Sequence, residues 1–182
     1  MGATFTRINS VIVDPTQTQV RDAYIDPSLQ LGSSSAANLA SPLSPIATYG
    51  QLYRGMPVLI SRVSGKIVPP SATVGTSSTT GSTTAFGGVV ISDITAHIVA
   101  RGTKTALATK GRIRSYAGAV ILPGDDVKVD TSANFSGFVT WAKATDDIYL
   151  RVGKAWPIDD GSTTGTPATT IAQGDTIFVD LY

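Results

Sequence analysis

Apolar and polar residues alternate in short runs along this chain, a pattern typical of β-strands rather than helices. Successive residues of a strand point to opposite faces, so a strand beside a core buries every second side chain. In DIYLRVGKAW, for example, Ile148, Leu150 and Val152 would share one face, opposite Tyr149 and Arg151. The runs that predict strands are MPVLISRV (56–63), IVPP (67–70) after an SGK turn, VVISDITAHIVA (89–100), RIRSYAGAVIL (112–122), FSGFVTWAKA (135–144), DIYLRVGKAW (147–156) and DTIFVDLY (175–182).

The spacing of these runs predicts the fold class. They recur at intervals of about ten residues between glycine-rich turns, which is typical of antiparallel sandwiches and barrels. Residues 75–88 and 159–170 contain so much Gly, Ser and Thr that we expect loops there. TKTALATKG (103–111) has helix-like composition but is too short to establish a helix. We therefore expect an all-β protein, with a single antiparallel β-barrel or β-sandwich domain over residues 50–182 and an extended, mostly irregular N-terminal arm over residues 1–49.

The N-terminal arm has too little periodic apolar sequence to form a core of its own. FTRINSVIVD (5–14) is compatible with one strand, whereas residues 33–50 are small, polar and interrupted by two prolines. Two interpretations stay open: an irregular segment that crosses the surface of the domain, or an arm that orders against a partner. We expect part of residues 1–31 to pack on another subunit, so that its deletion would leave residues 50–182 folded. The candidate partner-binding residues are Phe5, Ile8, Val11, Val13, Tyr24 and Ile25.

One short pattern recurs in the chain. PGDDVKVD (123–130) returns as QGDTIFVD (173–180) and, more weakly, as RGMPVLIS (54–61); each copy has a glycine, two variable positions and then apolar–x–apolar. Glycine adopts the positive φ that many turns need, and aspartate can bond the backbone of the turn. The pattern therefore predicts strand-start turns at Gly124, Asp125, Gly174 and Asp175. We expect the apolar positions of the first two copies to lie in one core, namely Val127, Val129, Ile177 and Val179.

Asp125 and Asp126 are adjacent carboxylates, and an acid/base pair, a metal site or a plain turn would each use such residues. A catalytic pair must converge on one spot, but neighbours on a strand point to opposite faces. In the second copy of the pattern Thr176 replaces Asp126. A turn tolerates that replacement and a repeated site would not, so the sequence favours the turn.

Composition excludes several kinds of chemistry. With 14 Lys and Arg against 13 Asp and Glu, the net charge is +1, which gives no field for gathering nucleic acid. There is no cysteine for thiol catalysis, and His97 is the single histidine, without companions for a metal site. No apolar run approaches the ~18–20 residues that span a bilayer. We expect no enzymatic activity, no cofactor, no metal, no nucleic acid and no membrane partner.

The chain contains three notable stretches in this order: LPGDDVKVD (122–130), SGFVTWAKATDDIYLRVGKAWPI (136–158) and AQGDTIFVDLY (172–182). Together they resemble the tailed-phage capsid decoration proteins, also called cement proteins. That family's pattern has a Gly-Asp strand start, an alanine-bearing strand, a vGxA segment and a closing Gly-Asp strand. The resemblance covers residues 88–182, with a weaker match over 50–87. Here the motif residues are Gly124-Asp125, Ala142, Val152-Gly153-Lys154-Ala155 and Gly174-Asp175, with Gly88-Val89 as an earlier glycine–valine step.

The resemblance implies a non-enzymatic β-domain that binds in many copies to the outer surface of a phage capsid. It further implies a homotrimer, or alternatively a homodimer, that bridges subunits of the major capsid protein. Two alternatives stay open: a tail, fibre or head-fibre component, and a carbohydrate-binding β-sandwich module. The second would place aromatic side chains on one exposed face, from among Trp141, Trp156, Tyr149 and Tyr116. A hydrolase would need a pocket where two of Asp125, Asp126 and Asp147 meet.

Overall fold

The structure, a computed structural model, describes residues 8–25, 54–68, 84–93, 104–130, 137–146, 148–158 and 170–182. Within these ranges the protein contains β-strands and one short 3-10 turn, and no α-helix. None of the described residues form a helix long and apolar enough to cross a membrane. The strands are β1 (Gln19–Tyr24), β2 (Pro57–Ser61), β3 (Ile67–Val68), β4 (Thr84–Val90), β5 (Lys104–Tyr116), β6 (Asp126–Val129), β7 (Phe138–Thr140), β8 (Gly153–Pro157) and β9 (Thr176–Leu181), and the 3-10 turn is Ile148–Leu150.

All nine strands belong to one antiparallel sheet, in the order β3-β2-β4-β5-β9-β8-β6-β7, with β1 paired to β5. Single backbone bridges connect each end strand of this sheet back to the residue that follows β1 or β5. Ile25, just after β1, bridges Ile67 of β3, and Ala117, just after β5, bridges Phe138 of β7. The sheet therefore curls into a nearly closed barrel, which confirms the predicted all-β antiparallel fold. Of the two architectures expected, the barrel is the one that forms.

Strand β5 is the longest element and connects the two halves of the sheet. Its first half pairs with β1 and β4, and its second half pairs with β9. It includes residues 104–111 of the stretch whose composition resembled a helix. Both edges of β5 are paired, and its residues Thr105, Leu107 and Ile113 are buried. Tertiary pairing therefore overrides the weak local preference for a helix.

The buried apolar side chains form two hydrophobic clusters, and β2, β4 and β5 each contribute residues to both. Adjacent residues of β4 contribute to different clusters, Val89 to the larger and Val90 to the smaller, so this strand buries both faces. Val127, Val129, Ile177 and Val179 all lie in the larger cluster, which confirms the predicted shared core. The smaller cluster is Ala23, Ile25, Met56, Val58, Ile67, Val90 and Leu107.

Several strand bounds differ from the sequence expectation. The strand expected over 147–156 begins only at Gly153, because residues 148–150 form the 3-10 turn, and Ile148 is 56% exposed instead of sharing a buried face. Strand β4 begins at Thr84, inside the stretch expected to be a loop. It ends at Val90, and residues 94–100, including His97, lie outside the described residues.

The N-terminal segment contributes to the barrel itself. Ile12 bridges Ile113, and β1 then continues antiparallel along the same strand, β5. Ile8 and Val11 are buried in the larger cluster and Ile25 in the smaller one. These three side chains were expected to bind a partner. The correction is that the chain's own core covers them, because the edge of β5 pairs with this segment.

The remaining arm residues have different surroundings. Val13 is half-buried, and Tyr24 is 49% exposed with the Lys104 ammonium 5.1 Å from its ring centroid. Phe5 lies outside the described residues. The predicted domain boundary at residue 50 would therefore divide one sheet, because residues 8–25 pair with strands that follow it. Contact between this segment and another subunit stays a prediction.

Candidate partner-binding surface

The two predicted strand-start turns have matching geometry. Gly124 and Gly174 have φ of 86° and 91°, the left-handed region that favours glycine at the third position of a type II turn. In each turn the aspartate closes the loop twice. The Asp125 N–H donates to Leu122 O (3.0 Å), and the Leu122 N–H donates back to Asp125 Oδ2 (3.3 Å). Asp175 makes the same reciprocal pair with Ala172, at 3.2 and 2.9 Å.

Each turn is held to a neighbouring strand by a second matching pair of bonds. The Gly124 N–H donates to Ala155 O (2.7 Å), and the Ala155 N–H donates to Asp125 O (3.0 Å). Gly174 and Asp175 bind Ala117 in the same way, at 2.8 and 2.9 Å. The weaker third copy follows the pattern too, because Gly55 has φ of 87° and exchanges the equivalent bonds with Val90. The recurring pattern is therefore one structural device used three times.

Asp125 and Asp126 do not share a site. The Asp125 carboxylate binds its own turn and accepts a hydrogen bond from Thr140 Oγ1 (3.1 Å). Asp126 instead faces Arg151, Lys154 and Tyr182. The two side chains diverge, as the alternation along a strand predicted.

Asp126 is the centre of a polar cluster at the end of the barrel's last strand. Its Oδ1 accepts hydrogen bonds from the Tyr182 hydroxyl (2.6 Å), Arg151 Nη2 (3.0 Å) and Lys154 Nζ (3.3 Å). The bond from Tyr182, followed by those from Arg151 and Lys154, holds the pKa of Asp126 below its ordinary value despite partial burial. The Arg151 guanidinium lies 4.9 Å from the Tyr182 ring centroid and 5.9 Å from that of Trp141. This cluster joins β6, β8 and the end of β9 through one ionised carboxylate.

A second ion pair lies on the neighbouring strands. Arg112 donates to both carboxylate oxygens of Asp180, from Nε at 2.6 Å and from Nη2 at 2.7 Å. This bidentate pair is the main reason that the pKa of Asp180 lies below its ordinary value; a hydrogen bond from Trp156 contributes in the same direction. Such a fork fixes the geometry of both side chains more firmly than a single contact would.

These side chains form two parallel rows on the outside of the barrel, which we call the outer face. The register places Arg114, Phe178 and Trp156 directly opposite one another on β5, β9 and β8. A charged row lies two residues further along β9 and two residues back along β5 and β8, and it continues onto β6. It consists of Arg112, Asp180, Lys154 and Asp126. The first row is cationic and aromatic, and the second alternates in charge.

The outer face is accessible and has an excess of positive charge. Trp156 is 38% exposed, and the side chains of Arg112 and Lys154 are about half-exposed. With Arg151 included, four cations lie against two carboxylates, Asp126 and Asp180. Arg114 stacks its guanidinium 5.5 Å from the Phe178 ring centroid and donates to Ser10 O (3.2 Å). Aromatic and arginine side chains of this kind are enriched at protein interfaces compared with the rest of a protein surface.

The sequence alone does not group the residues of the outer face. Each is an outward-facing residue of an alternating strand, which a single sequence identifies only as polar or aromatic. Trp156 was named as an aromatic candidate, but its neighbours Phe178 and Arg114 come from strands far away in the chain. Of the other aromatic candidates, Tyr116 is buried and its hydroxyl accepts a hydrogen bond from the Ile8 N–H (3.1 Å). It therefore does not belong to an exposed aromatic platform.

Comparison of the chain with protein-family models and with curated proteins finds no match.

Proposed function

We propose that this protein is a structural component of a phage virion, a capsid decoration or cement protein. In this role it binds the outer surface of the head without catalysing a reaction and stabilises contacts between subunits of the major capsid protein. Its assembled form is a homotrimer, with a homodimer as the alternative. A tail, fibre or head-fibre component is the second candidate within the virion.

One observation carries this proposal: the first Gly-Asp turn, the vGxA segment and the closing strand β9, which resemble the decoration proteins, are contiguous in the barrel. Ala142, which was expected within a strand, instead lies after the end of β7. Ala155 of the vGxA segment exchanges backbone hydrogen bonds with the first Gly-Asp turn, at Gly124 and Asp125. Gly153 of the same segment lies so close to β9 that a Cβ atom would be 2.5 Å from the carbonyl oxygen of Asp180. The motif order in sequence thus corresponds to one contiguous part of the barrel. This supports the resemblance as one of fold, from which the function follows by analogy.

The physical requirements of decoration agree with such a domain. A protein that binds a symmetric lattice in many copies needs only weak contacts for each copy, because a closed oligomer engages several sites at once. The described surface exposes apolar area, including Val120, Leu122 and Trp156, that a partner would cover in such an assembly.

Electron cryomicroscopy of virions with and without this gene product tests the proposal. We expect density for the barrel, repeated with the symmetry of the lattice, on the outside of the head. We also expect heads that lack the protein to lose integrity at lower temperature. Density on the tail or at a single vertex would assign the protein to the second candidate. Virions without any density for it would overturn the virion role.

The oligomeric state is tested separately by mass measurement of the isolated protein at micromolar concentration. A trimer is expected. A strict monomer, both free and on the head, would remove the multivalency argument.

A further inference from the structure

We propose that the outer face, formed by β5, β9 and β8, is the surface through which this protein docks on an acidic protein partner. The inference rests on the proposed function, in which that partner is the outer surface of the major capsid protein. It names the residues and the chemistry of the contact, which the proposed function leaves open.

The aromatic row supplies the contact area. Trp156 and Phe178 are direct cross-strand neighbours, and the Trp156 ring packs on the turn at Gly124, within 3.5 Å of where a Cβ atom would lie. A large aromatic side chain that is already immobilised loses little conformational entropy on binding. Tryptophan and arginine are also the residues that most often dominate binding energy at protein interfaces.

The charges determine which kind of partner fits. Both carboxylates of the face are occupied, Asp180 by the Arg112 fork and Asp126 by three donors. Arg114, in contrast, directs its described hydrogen bond to a backbone carbonyl, so its charge is not neutralised there. The positive excess, four cations to two carboxylates, is complementary to a partner that carries carboxylates.

A second copy of this chain fits the face less well. In a two-fold contact the same patch meets itself. The outer face would then bring its positive excess against an identical excess, and like charges at close range disfavour such a contact. An acidic surface on a different protein avoids this repulsion.

The test compares the binding of wild-type protein and three variants to isolated heads at low and at high salt. Arg114→Gln with Lys154→Gln removes two cations and keeps the aromatic side chains Trp156 and Phe178, whereas Trp156→Ala removes the more exposed aromatic side chain. The matched control is Arg62→Gln with Val63→Ala, an exposed cation and an apolar side chain that is 90% exposed on the β2–β3 hairpin, at the other end of the strand order.

We expect the double charge variant to lose about tenfold or more in affinity at low salt and to lose most of the salt dependence of wild type. Trp156→Ala should lose at least about tenfold at both salt concentrations. The hairpin control should bind as wild type does. Thermal unfolding of each variant shows whether it is folded, and the charge variant keeps the test decisive if Trp156→Ala unfolds.

The outcomes separate the two proposals. Wild-type protein that fails to bind heads contradicts the proposed function and the docking face with it. Wild-type protein that binds, together with outer-face variants that bind equally well, contradicts the docking face alone. An equal loss of affinity in the hairpin control would also contradict the docking face. So would outer-face variants with an altered oligomeric state, because the face would then be a contact between copies of this chain.

Discussion

Ile121 and Ile171, fifty residues apart, exchange two backbone hydrogen bonds, each N–H donating to the other's carbonyl at 3.0 and 2.8 Å. Each isoleucine directly precedes a strand-start turn, and both are buried. The two copies of the turn thus meet antiparallel, and each residue of one copy corresponds to the residue fifty positions later. The barrel contains a local two-fold relationship that links Gly124 to Gly174 and Val127 to Ile177.

This relationship predicts equal responses to equal changes. Replacing Gly124 or Gly174 by Ala should each lower the free energy of unfolding by about 1–2 kcal/mol, because φ near +90° strains a residue with a Cβ atom. Space does not cause the loss at Gly124, since its nearest neighbours are Trp156 ring atoms at ordinary contact distance. Urea denaturation measures both values.

Asn at the same two positions is the matched control, because it enters the left-handed region at lower cost than Ala. We expect the Asn variants to be more stable than the Ala variants in both turns. If Ala costs nothing at either position, the turn does not require the glycine.

The shared core gives a second prediction. Val127→Ala and Val179→Ala should each cost about 1–3 kcal/mol of stability, through lost burial and the cavity left behind, because both side chains are fully buried in the larger cluster. Val63→Ala is the control and should change stability by less than about 0.5 kcal/mol. Similar small effects at all three positions would contradict the assignment of the core.

The N-terminal segment gives a third prediction, which replaces the sequence-based expectation for its deletion. Removing residues 1–31 should destabilise or unfold the barrel, because it removes β1 from the edge of β5 together with buried Ile8, Val11 and Ile25. Circular dichroism and thermal unfolding report the result. Tyr24→Ala, at an exposed position of β1, should leave the fold intact. A truncated protein as stable as wild type would show that the segment is a dispensable arm.

The pH dependence of stability follows from Asp126 and Asp180. Their pKa values lie below the ordinary 3.8 in the folded protein, held down chiefly by Tyr182 and Arg112 respectively. Each ionised carboxylate therefore stabilises the fold at pH above 3.8, and this contribution is lost as the pH falls through the lower, folded-state value.

Asp180→Asn should accordingly be less stable than wild type at neutral pH. The difference in the free energy of unfolding between the two proteins should become smaller in acid. Asp126→Asn should behave in the same way. Asp22→Asn, at an exposed position of β1, is the control and should follow the wild-type curve. A difference between Asp180→Asn and wild type that stays constant from neutral pH into strong acid would show that the ion pair is not its cause.

The turns and the shared core were readable from sequence because their causes are local. A glycine with positive φ, an aspartate that bonds its own turn and a period of two are all properties of a few adjacent residues. Gly124 and Val127 could therefore be assigned without knowledge of their neighbours in space. The opposite orientations of Asp125 and Asp126 followed from the same local rule.

Local rules failed where long-range pairing competed with them. The stretch at 103–111 has no strong preference of its own, and β5 forms from residue 104 because β1, β4 and β9 complete its hydrogen bonds. Ile148 matched the alternation of a strand, yet the chain turns there before β8 begins. Periodicity shows which side chains could share a face, but not whether another strand is available to pair with them.

By itself, the sequence determined the all-β class, the recurring turn and the residues that enter the core, since short-range geometry and hydrophobicity decide these. Only the tertiary structure decided that Ile8 and Ile25 are covered by their own barrel and that Arg114, Phe178 and Trp156 form one row. Those relationships depend on strand order and register, which arise when distant segments close hydrogen bonds and bury surface together.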